Sequence, residues 1–217
     1  MYDYFLDKDY LKRAQNLCSS IIADVQNEVR NQGIACQFFL IGSGARNMVT
    51  YNKRKDGEIY IDFDYNLNII SCDNWNDGRS IKEIVRKAFN KIWKKIYGSE
   101  GVQDSTSSLT SNNIYFEDVP GTFFSIDLGI VTIDNSNKWN RLIHNKQTGQ
   151  YYWNVVRNSQ DLIKKVIALK TNNCWSDVRD RYLTIKNKYL SQNDCNHPSF
   201  VCYVEAVNEI YQKYFSH

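Results

Sequence analysis

The sequence predicts an α+β fold: a mixed β-sheet with flanking helices on one side, followed by a small C-terminal helical bundle. Apolar and polar residues alternate over several stretches between residues 36 and 156, which is the period of β-strands. Before and between these stretches, and after residue 157, apolar residues recur every three or four positions, as in amphipathic helices. We therefore expect a sheet-containing core over residues 1–157 and a helical bundle over residues 158–217 that packs on it.

The composition limits the class of protein. A chain of 217 residues, 42% of them hydrophobic, can bury a substantial core. Its formal net charge of +3 is too small to indicate a nucleic-acid partner by itself. The six cysteines include no CxxC motif, which argues against a zinc site or a disulfide framework. The N-terminal segment does not resemble a secretory signal and no apolar run approaches the ~20 residues of a membrane span, so we expect a cytoplasmic protein.

Two long helices are expected to cover one face of the sheet. The first has one apolar stripe and ends at Gly33, and the second is expected from about Ser80 to Tyr97, with Asp77 as its N-cap. The polar segment from Gly98 to Thr110 is expected to be a loop and the longest candidate for a mobile segment. The second helix also has a basic face, either a solvated surface or an electropositive surface for a polyanionic acceptor, made of Lys82, Arg86, Lys87, Lys91, Lys94 and Lys95.

The first predicted strand ends in a glycine–serine corner. Its apolar run CQFFLI, residues 36–41, is followed at once by Gly42 and Ser43. Such a break exposes backbone N–H groups and a hydroxyl at the end of a sheet, where a phosphate can bind.

The second predicted strand places two carboxylates side by side. In EIYIDFDYNLNII, residues 58–70, the apolar side chains share one face, and Asp62 and Asp64 lie on the other. This arrangement is suited to holding a divalent cation with oxygen ligands. The insert before this strand contains Asp56-Gly57, a tight-turn signal, and predicts a small hairpin over residues 53–58.

A third carboxylate lies on a later predicted strand. TFFSIDLGIVTI, residues 122–133, is expected to pair antiparallel with the segment SNNIYFEDV before it. Asp127 in this strand has apolar neighbours on both sides. A carboxylate in mid-strand is unfavourable for strand propensity and costly to bury unpaired, so it indicates a cation.

These three elements, in this order, resemble the signature of the nucleotidyltransferase superfamily, which includes the DNA polymerase beta type, antibiotic adenylyltransferases, and oligoadenylate and cyclic-dinucleotide synthases. The resemblance covers roughly residues 36–131. The gap between the corner and the Asp-x-Asp strand is longer than in compact members, which leaves the substrate open. The matching elements are Ile41-Gly42-Ser43, Ile61-Asp62-Phe63-Asp64-Tyr65 and Ile126-Asp127-Leu128.

The resemblance implies a metal-dependent enzyme that binds a nucleoside triphosphate such as ATP. Oxygen ligands favour Mg²⁺ or Mn²⁺ over zinc, and two ions can clamp the attacking and leaving oxygens of an in-line displacement. By the resemblance, Asp62, Asp64 and Asp127 hold the two ions, while Gly42 and Ser43 hold the β- and γ-phosphates. A nucleoside monophosphate passes to an acceptor hydroxyl and pyrophosphate leaves. The competing interpretation is three strand carboxylates that are hydrogen-bonded without a metal.

Three further residues are candidates for nucleotide binding. Arg46 is either a phosphate contact or a surface turn residue. Tyr152, in the YYW cluster, either stacks on the base or packs in the core. Lys164 either reaches the triphosphate or lies on the polar face of an amphipathic helix.

The sequence leaves the acceptor open. A small molecule, an RNA end or a protein hydroxyl is expected, whereas enzymes that make nucleotide second messengers are usually larger. Two alternatives use the same fold: a non-catalytic nucleotide-sensing or partner-binding module, and the toxin component of a toxin–antitoxin pair.

Overall fold

The structure, a computed structural model, describes residues 1–52, 56–156, 160–190, 194 and 197–215. It has an α+β fold with a mixed sheet, as the sequence predicts. In chain order the elements are β1 (Tyr2–Tyr4), α1 (Lys8–Asn31), β2 (Ala35–Leu40), α2 (Gly42–Ala45), β3 (Thr50–Asn52), β4 (Ile59–Ser71), α3 (Gly78–Tyr97), β5 (Val102–Asp104), β6 (Leu109–Ser111), β7 (Ile114–Tyr115), β8 (Thr122–Ile133), β9 (Trp139–Asn145), β10 (Gln150–Val155), α4 (Gln160–Thr171), α5 (Trp175–Leu190) and α6 (Ser199–Phe215).

The chain divides into two compact units. The sheet unit comprises Leu6–Val49 and Glu58–Arg157, and the helical unit comprises Met1–Phe5, Thr50–Gly57 and Asn158–His217. The three C-terminal helices therefore group with β1 and β3, which pair with each other as an antiparallel ribbon. The hairpin predicted at residues 53–58 includes 53–55, which lie outside the described residues.

The main sheet has the strand order β10-β9-β8-β4-β2. Its two long central strands, β4 and β8, are parallel, whereas the pairs β2–β4, β8–β9 and β9–β10 are antiparallel. β4 occupies one edge of β8, and the other edge pairs successively with β7, β6 and β9. The predicted antiparallel pairing of residues 111–119 with β8 is confirmed, although the paired segment β7 has only two residues.

The helices α1 and α3 form as predicted, and their start signals act through side-chain caps. Asp7 accepts a hydrogen bond from the N–H of Tyr10, and Asp77 accepts one from the N–H of Ser80. The apolar stripe of α1 is fully buried, and the hydroxyl of Ser19 lies 2.9 Å from that of Tyr65 on β4. Tyr65 belongs to the apolar face of β4, so α1 covers that face and leaves the carboxylate face of the sheet uncovered by it.

The segment from Gly98 to Thr110 is not a loop, and this prediction was wrong. It forms the hairpin β5–β6, whose first strand is tied to α3. The Asn90 side chain accepts hydrogen bonds from the N–H groups of Gly101 and Val102. Lys82, predicted on the exposed basic face of α3, is instead 2% exposed and forms an ion pair of 2.6 Å with Asp104.

The helical unit is held by packing of α5 and α4 on α6. Asn187 of α5 exchanges two hydrogen bonds with the backbone of Tyr2, and these fix the β1–β3 ribbon to the helix. The spacing of Ile163 and Ile167 predicts inward positions, but both side chains are more than half exposed. Among the described helices, none combines the length and the apolar character that crossing a bilayer requires.

Candidate active site

The glycine–serine corner lies directly against the Asp64 carboxylate. The N–H of Ile41 donates to the backbone oxygen of Asp64 at 2.8 Å, which fixes the end of β2 beside β4. Gly42 has φ of +66°, and a Cβ atom there would lie 2.1 Å from Oδ2 of Asp64. Glycine is therefore required at this position for two reasons, its backbone conformation and its lack of a side chain.

The three carboxylates share one face of the sheet. Strand alternation puts Asp62 and Asp64 on the face of β4 opposite its buried apolar residues. In the parallel pairing of β4 with β8, Asp64 lies beside Asp127, and Asp62 lies beside Ser125. Paired residues of neighbouring strands project to the same side, so Asp127 joins the other two carboxylates.

Two hydroxyl groups that the sequence analysis missed hold these carboxylates. Ser125 donates to Oδ1 of Asp62 at 2.7 Å, and Thr110 donates a short hydrogen bond to Oδ1 of Asp127. Ser125 was recognisable because it alternates with Asp127 on β8. Thr110 gave no local signal, since it reaches the site only through the pairing of β6 with β8.

The site is electrostatically unfavourable without a cation. Burial raises the pKa of Asp64 to about 6, and the carboxylates of Asp127 and Asp62 add to this increase, while Arg141 and Arg46 oppose it. Burial also raises the pKa of Asp127, with the Thr110 hydrogen bond opposing and Asp62 adding to the effect. Three like charges this close are stabilised by a bound cation.

The donor set fits a magnesium-type ion that takes its other ligands from elsewhere. In the described parts of the chain, no three His, Cys, Asp or Glu side chains are arranged to hold a metal on their own. One oxygen each of Asp62 and Asp127 is already engaged by a hydroxyl group. Mg²⁺ typically binds one or two carboxylates and completes its shell with water and substrate phosphates, which this arrangement allows.

Two arginines lie close enough to act on Asp64. Arg46 follows the glycine–serine corner and is partly buried, and it lowers the pKa of Asp64. Arg141 of β9, which the sequence analysis missed, also lowers this pKa and donates to Oδ1 of Asn66 at 3.0 Å.

The other two predicted contacts lie further from the carboxylates or in the other unit. Tyr152 on β10 pairs with Ile143, two residues after Arg141, so its side chain projects to the carboxylate face of the sheet. Tyr152 is 46% exposed. Lys164 is an exposed residue of α4 in the helical unit.

Solved structures with this architecture were found by comparison. The chain is similar to Escherichia coli DncV in its 3′-deoxy GTP bound form, with a TM-score of 0.62 and 14% identity over 99% of this chain and 70% of that chain. It is similar to Vibrio cholerae DncV in its 3′-deoxy ATP bound form, with a TM-score of 0.56 and 15% identity over 94% of this chain and 52% of that chain. A third similar structure is CdnC of E. coli MS115-1 with ATP, with a TM-score of 0.56 and 13% identity over 95% and 62% of the two chains.

The likeness extends to the fold and not to the sequence. No protein-family model matches the chain, and no curated protein matches it. The chain spans about half the length of Vibrio cholerae DncV, a di-nucleotide cyclase. The protein has the nucleotidyltransferase fold, as the signature in its sequence implied.

Proposed function

We propose that the protein transfers a nucleoside monophosphate from a nucleoside triphosphate to an acceptor hydroxyl, with release of pyrophosphate, in a reaction that depends on Mg²⁺ or Mn²⁺. One observation supports this most: the register of β4 and β8 places Asp62, Asp64 and Asp127 on one face, with Asp64 against the glycine–serine corner. A sheet gains no stability from three neighbouring carboxylates, so their position favours a role in ligand binding.

The carboxylates have distinct positions and therefore distinct roles. Asp62 and Asp64 would hold the ion that accompanies the triphosphate, and Asp127 would complete a second ion site. When bound, the ions supply charge neutralisation and lower the pKa of the attacking hydroxyl. Thr110 and Ser125 fix the orientation of Asp127 and Asp62, so the oxygens that bind ligand are held in place before substrate arrives.

The glycine–serine corner provides the phosphate contacts. Gly42 brings the backbone within contact distance of the Asp64 carboxylate, so a phosphate whose cation Asp64 would hold also meets the N–H groups of the corner. The Ser43 hydroxyl and the Arg46 guanidinium are further donors in this stretch. Tyr152, which projects to the carboxylate face, is proposed as a contact to the base.

A second candidate acceptor is the hydroxyl of another nucleotide. The similarity of fold to a di-nucleotide cyclase supports this candidate, although the chain spans about half of that protein. The two proposals share the site and differ in their products.

The test is incubation with each of the four NTPs, labelled at the α-phosphate, with Mg²⁺ or Mn²⁺ and with or without total RNA. We expect pyrophosphate release and transfer of label in the wild type, and neither in Asp62→Ala combined with Asp64→Ala. Label in RNA identifies an RNA acceptor, and label in a dinucleotide identifies a nucleotide acceptor. Nucleotide binding without any pyrophosphate release would instead support the non-catalytic sensing module.

A further inference from the structure

Arg141 lies opposite Val131 of β8, and its side chain reaches the next position beyond the carboxylates on the same face of the sheet. Asn66 follows Asp64 by two residues on β4 and lies beside Gly129 on β8, in the parallel register that pairs Asp64 with Asp127. The two positions are separated by about 7 Å along the strand. Nη2 of Arg141 donates to Oδ1 of Asn66, so its guanidinium lies one residue pair from the Asp64–Asp127 pair.

Gly129 creates the space that this guanidinium fills. A Cβ atom on Gly129 would lie 3.2 Å from Cζ and from Nη1 of Arg141, and 2.8 Å from Oδ1 of Asn66. Both contacts are closer than a real side chain normally permits. The guanidinium of Arg141 thus lies over a strand position that is occupied by glycine.

The charge of Arg141 is incompletely compensated. Its only hydrogen bond among the described residues goes to a neutral amide oxygen, and no acidic side chain in those ranges forms an ion pair with it. A guanidinium has five N–H donors in a planar fork that matches phosphate oxygens. Burial lowers the pKa of Arg141 and the Asp64 carboxylate opposes this decrease, which is consistent with a partly desolvated cation beside the site.

We propose that Arg141 binds the triphosphate of the nucleotide substrate, with Asn66 and Gly129 holding its guanidinium beside Asp64. This inference rests on the proposed function, because it takes the ligand of the carboxylate site to be a nucleoside triphosphate. Arg46 of the corner and Arg141 of β9 both act on the Asp64 carboxylate, so a triphosphate whose cation Asp64 would hold has two guanidinium groups near it. The triphosphate and the three carboxylates together carry more negative charge than two divalent ions remove, and the two arginines offset part of this excess.

The test measures the affinity for Mg–ATP, Mg–GTP and inorganic triphosphate with Mg²⁺ by calorimetry. Arg141→Gln removes the charge and the fork, and we expect at least about tenfold weaker binding of all three probes, since hydrogen bonds to charged groups are the strong ones. Arg141→Lys keeps the charge without the fork and is expected to lose several-fold. The matched control is Arg86→Gln, which removes an equal charge from α3, where Arg86 pairs with Glu83.

Each outcome decides between the two proposals. If the wild type binds none of the probes, the proposed function and this inference both fail. If the wild type binds Mg–ATP, and both Arg141→Gln and Arg141→Lys bind it with the affinity of the wild type, only the inference fails. Should Arg141→Gln not fold, judged by its circular dichroism, the Arg141→Lys comparison decides. Equal weakening in Arg86→Gln would assign the effect to overall charge and overturn the inference.

Discussion

At the scale of single residues, Gly42 combines a φ of +66° with an Asp64 oxygen 2.1 Å from the place where a Cβ would be. We expect Gly42→Ala to abolish nucleotidyl transfer, because the added methyl group displaces the Asp64 carboxylate. The positive φ adds roughly 1–2 kcal/mol of destabilisation. Urea denaturation and pyrophosphate release measure the two effects.

Gly33→Ala separates these two effects. Gly33 has φ of +82° and no atom within 4 Å of its Cβ position, so it shares the strain but not the clash. We expect this variant to be destabilised by a similar amount and to keep its activity. Equal activity of Gly42→Ala and Gly33→Ala would contradict the role of Gly42.

Asp64 is expected to lower the stability of the metal-free protein. Its pKa of about 6 in the fold lies above the ordinary value of 3.8, so the folded state binds its proton more tightly than the unfolded state. The stability therefore falls as pH rises from about 4 to about 6 and stays reduced above it. We expect Asp64→Asn to stabilise the metal-free protein by about 2 kcal/mol at pH 7.5 and to remove this pH dependence.

Added Mg²⁺ is expected to make the wild type more stable than Asp64→Asn. It relieves the repulsion in the wild type, so added Mg²⁺ raises the midpoint of thermal unfolding of the wild type and not that of Asp64→Asn. A wild type that is more stable than Asp64→Asn without metal would contradict the electrostatic account.

At the scale of elements, the β5–β6 hairpin supplies Thr110 to the site. Thr110→Val keeps the branched shape and removes the hydrogen bond to Asp127. We expect about tenfold slower transfer with little change in nucleotide affinity, because the misplaced group is the one beside the acceptor. Thr106→Val, an exposed position of the same hairpin, is the control. An equal decrease in the rate of transfer in Thr110→Val and Thr106→Val would refute a specific role for Thr110.

The same hairpin is anchored by Asp104. Burial raises the pKa of Asp104, but hydrogen bonds from Lys146, Lys82 and His144 outweigh it and lower the pKa to about 2. A depressed carboxylate pKa stabilises the fold above the unfolded value of 3.8, and this contribution is lost as pH falls from about 4 to about 2. The stability difference between wild type and Asp104→Asn should shrink by about 2 kcal/mol across this window. A pH-independent difference would contradict the prediction.

The two strands of this hairpin could not be predicted from the sequence. Alternation identified β4 and β8, and capping residues identified α3, because these signals are local. The segment after Gly98 is polar throughout, and its strands depend on partners distant in sequence, such as Asn90 and Lys82. Lys82 was misplaced for the same reason, since the ion pair that permits its burial is not visible in the helical pattern.

At the scale of the whole molecule, the sheet brings together residues that are widely separated in the chain. Asp62, Asp64 and Asp127 were predictable as a set because each stands on an alternating strand and the glycine–serine corner precedes them. Arg141 and Thr110 were not, because their strands pair with β8 at positions that periodicity does not specify. The alternating pattern of the sequence thus predicted the acidic residues of the site. The basic and hydroxyl groups around them became visible only with the pairing of the strands.

Binding of a metal-bound triphosphate by the three carboxylates is tested most directly by calorimetry of ATP with Mg²⁺ and with EDTA, in the wild type, Asp62→Ala and Asp127→Ala. If three carboxylates on one sheet face bind a metal-bound triphosphate, the wild type binds ATP tightly only with Mg²⁺, and Asp62→Ala loses most of that gain. Asp127→Ala, on the neighbouring strand, loses part of it. Equal affinity with Mg²⁺ and with EDTA in all three proteins would contradict the claim.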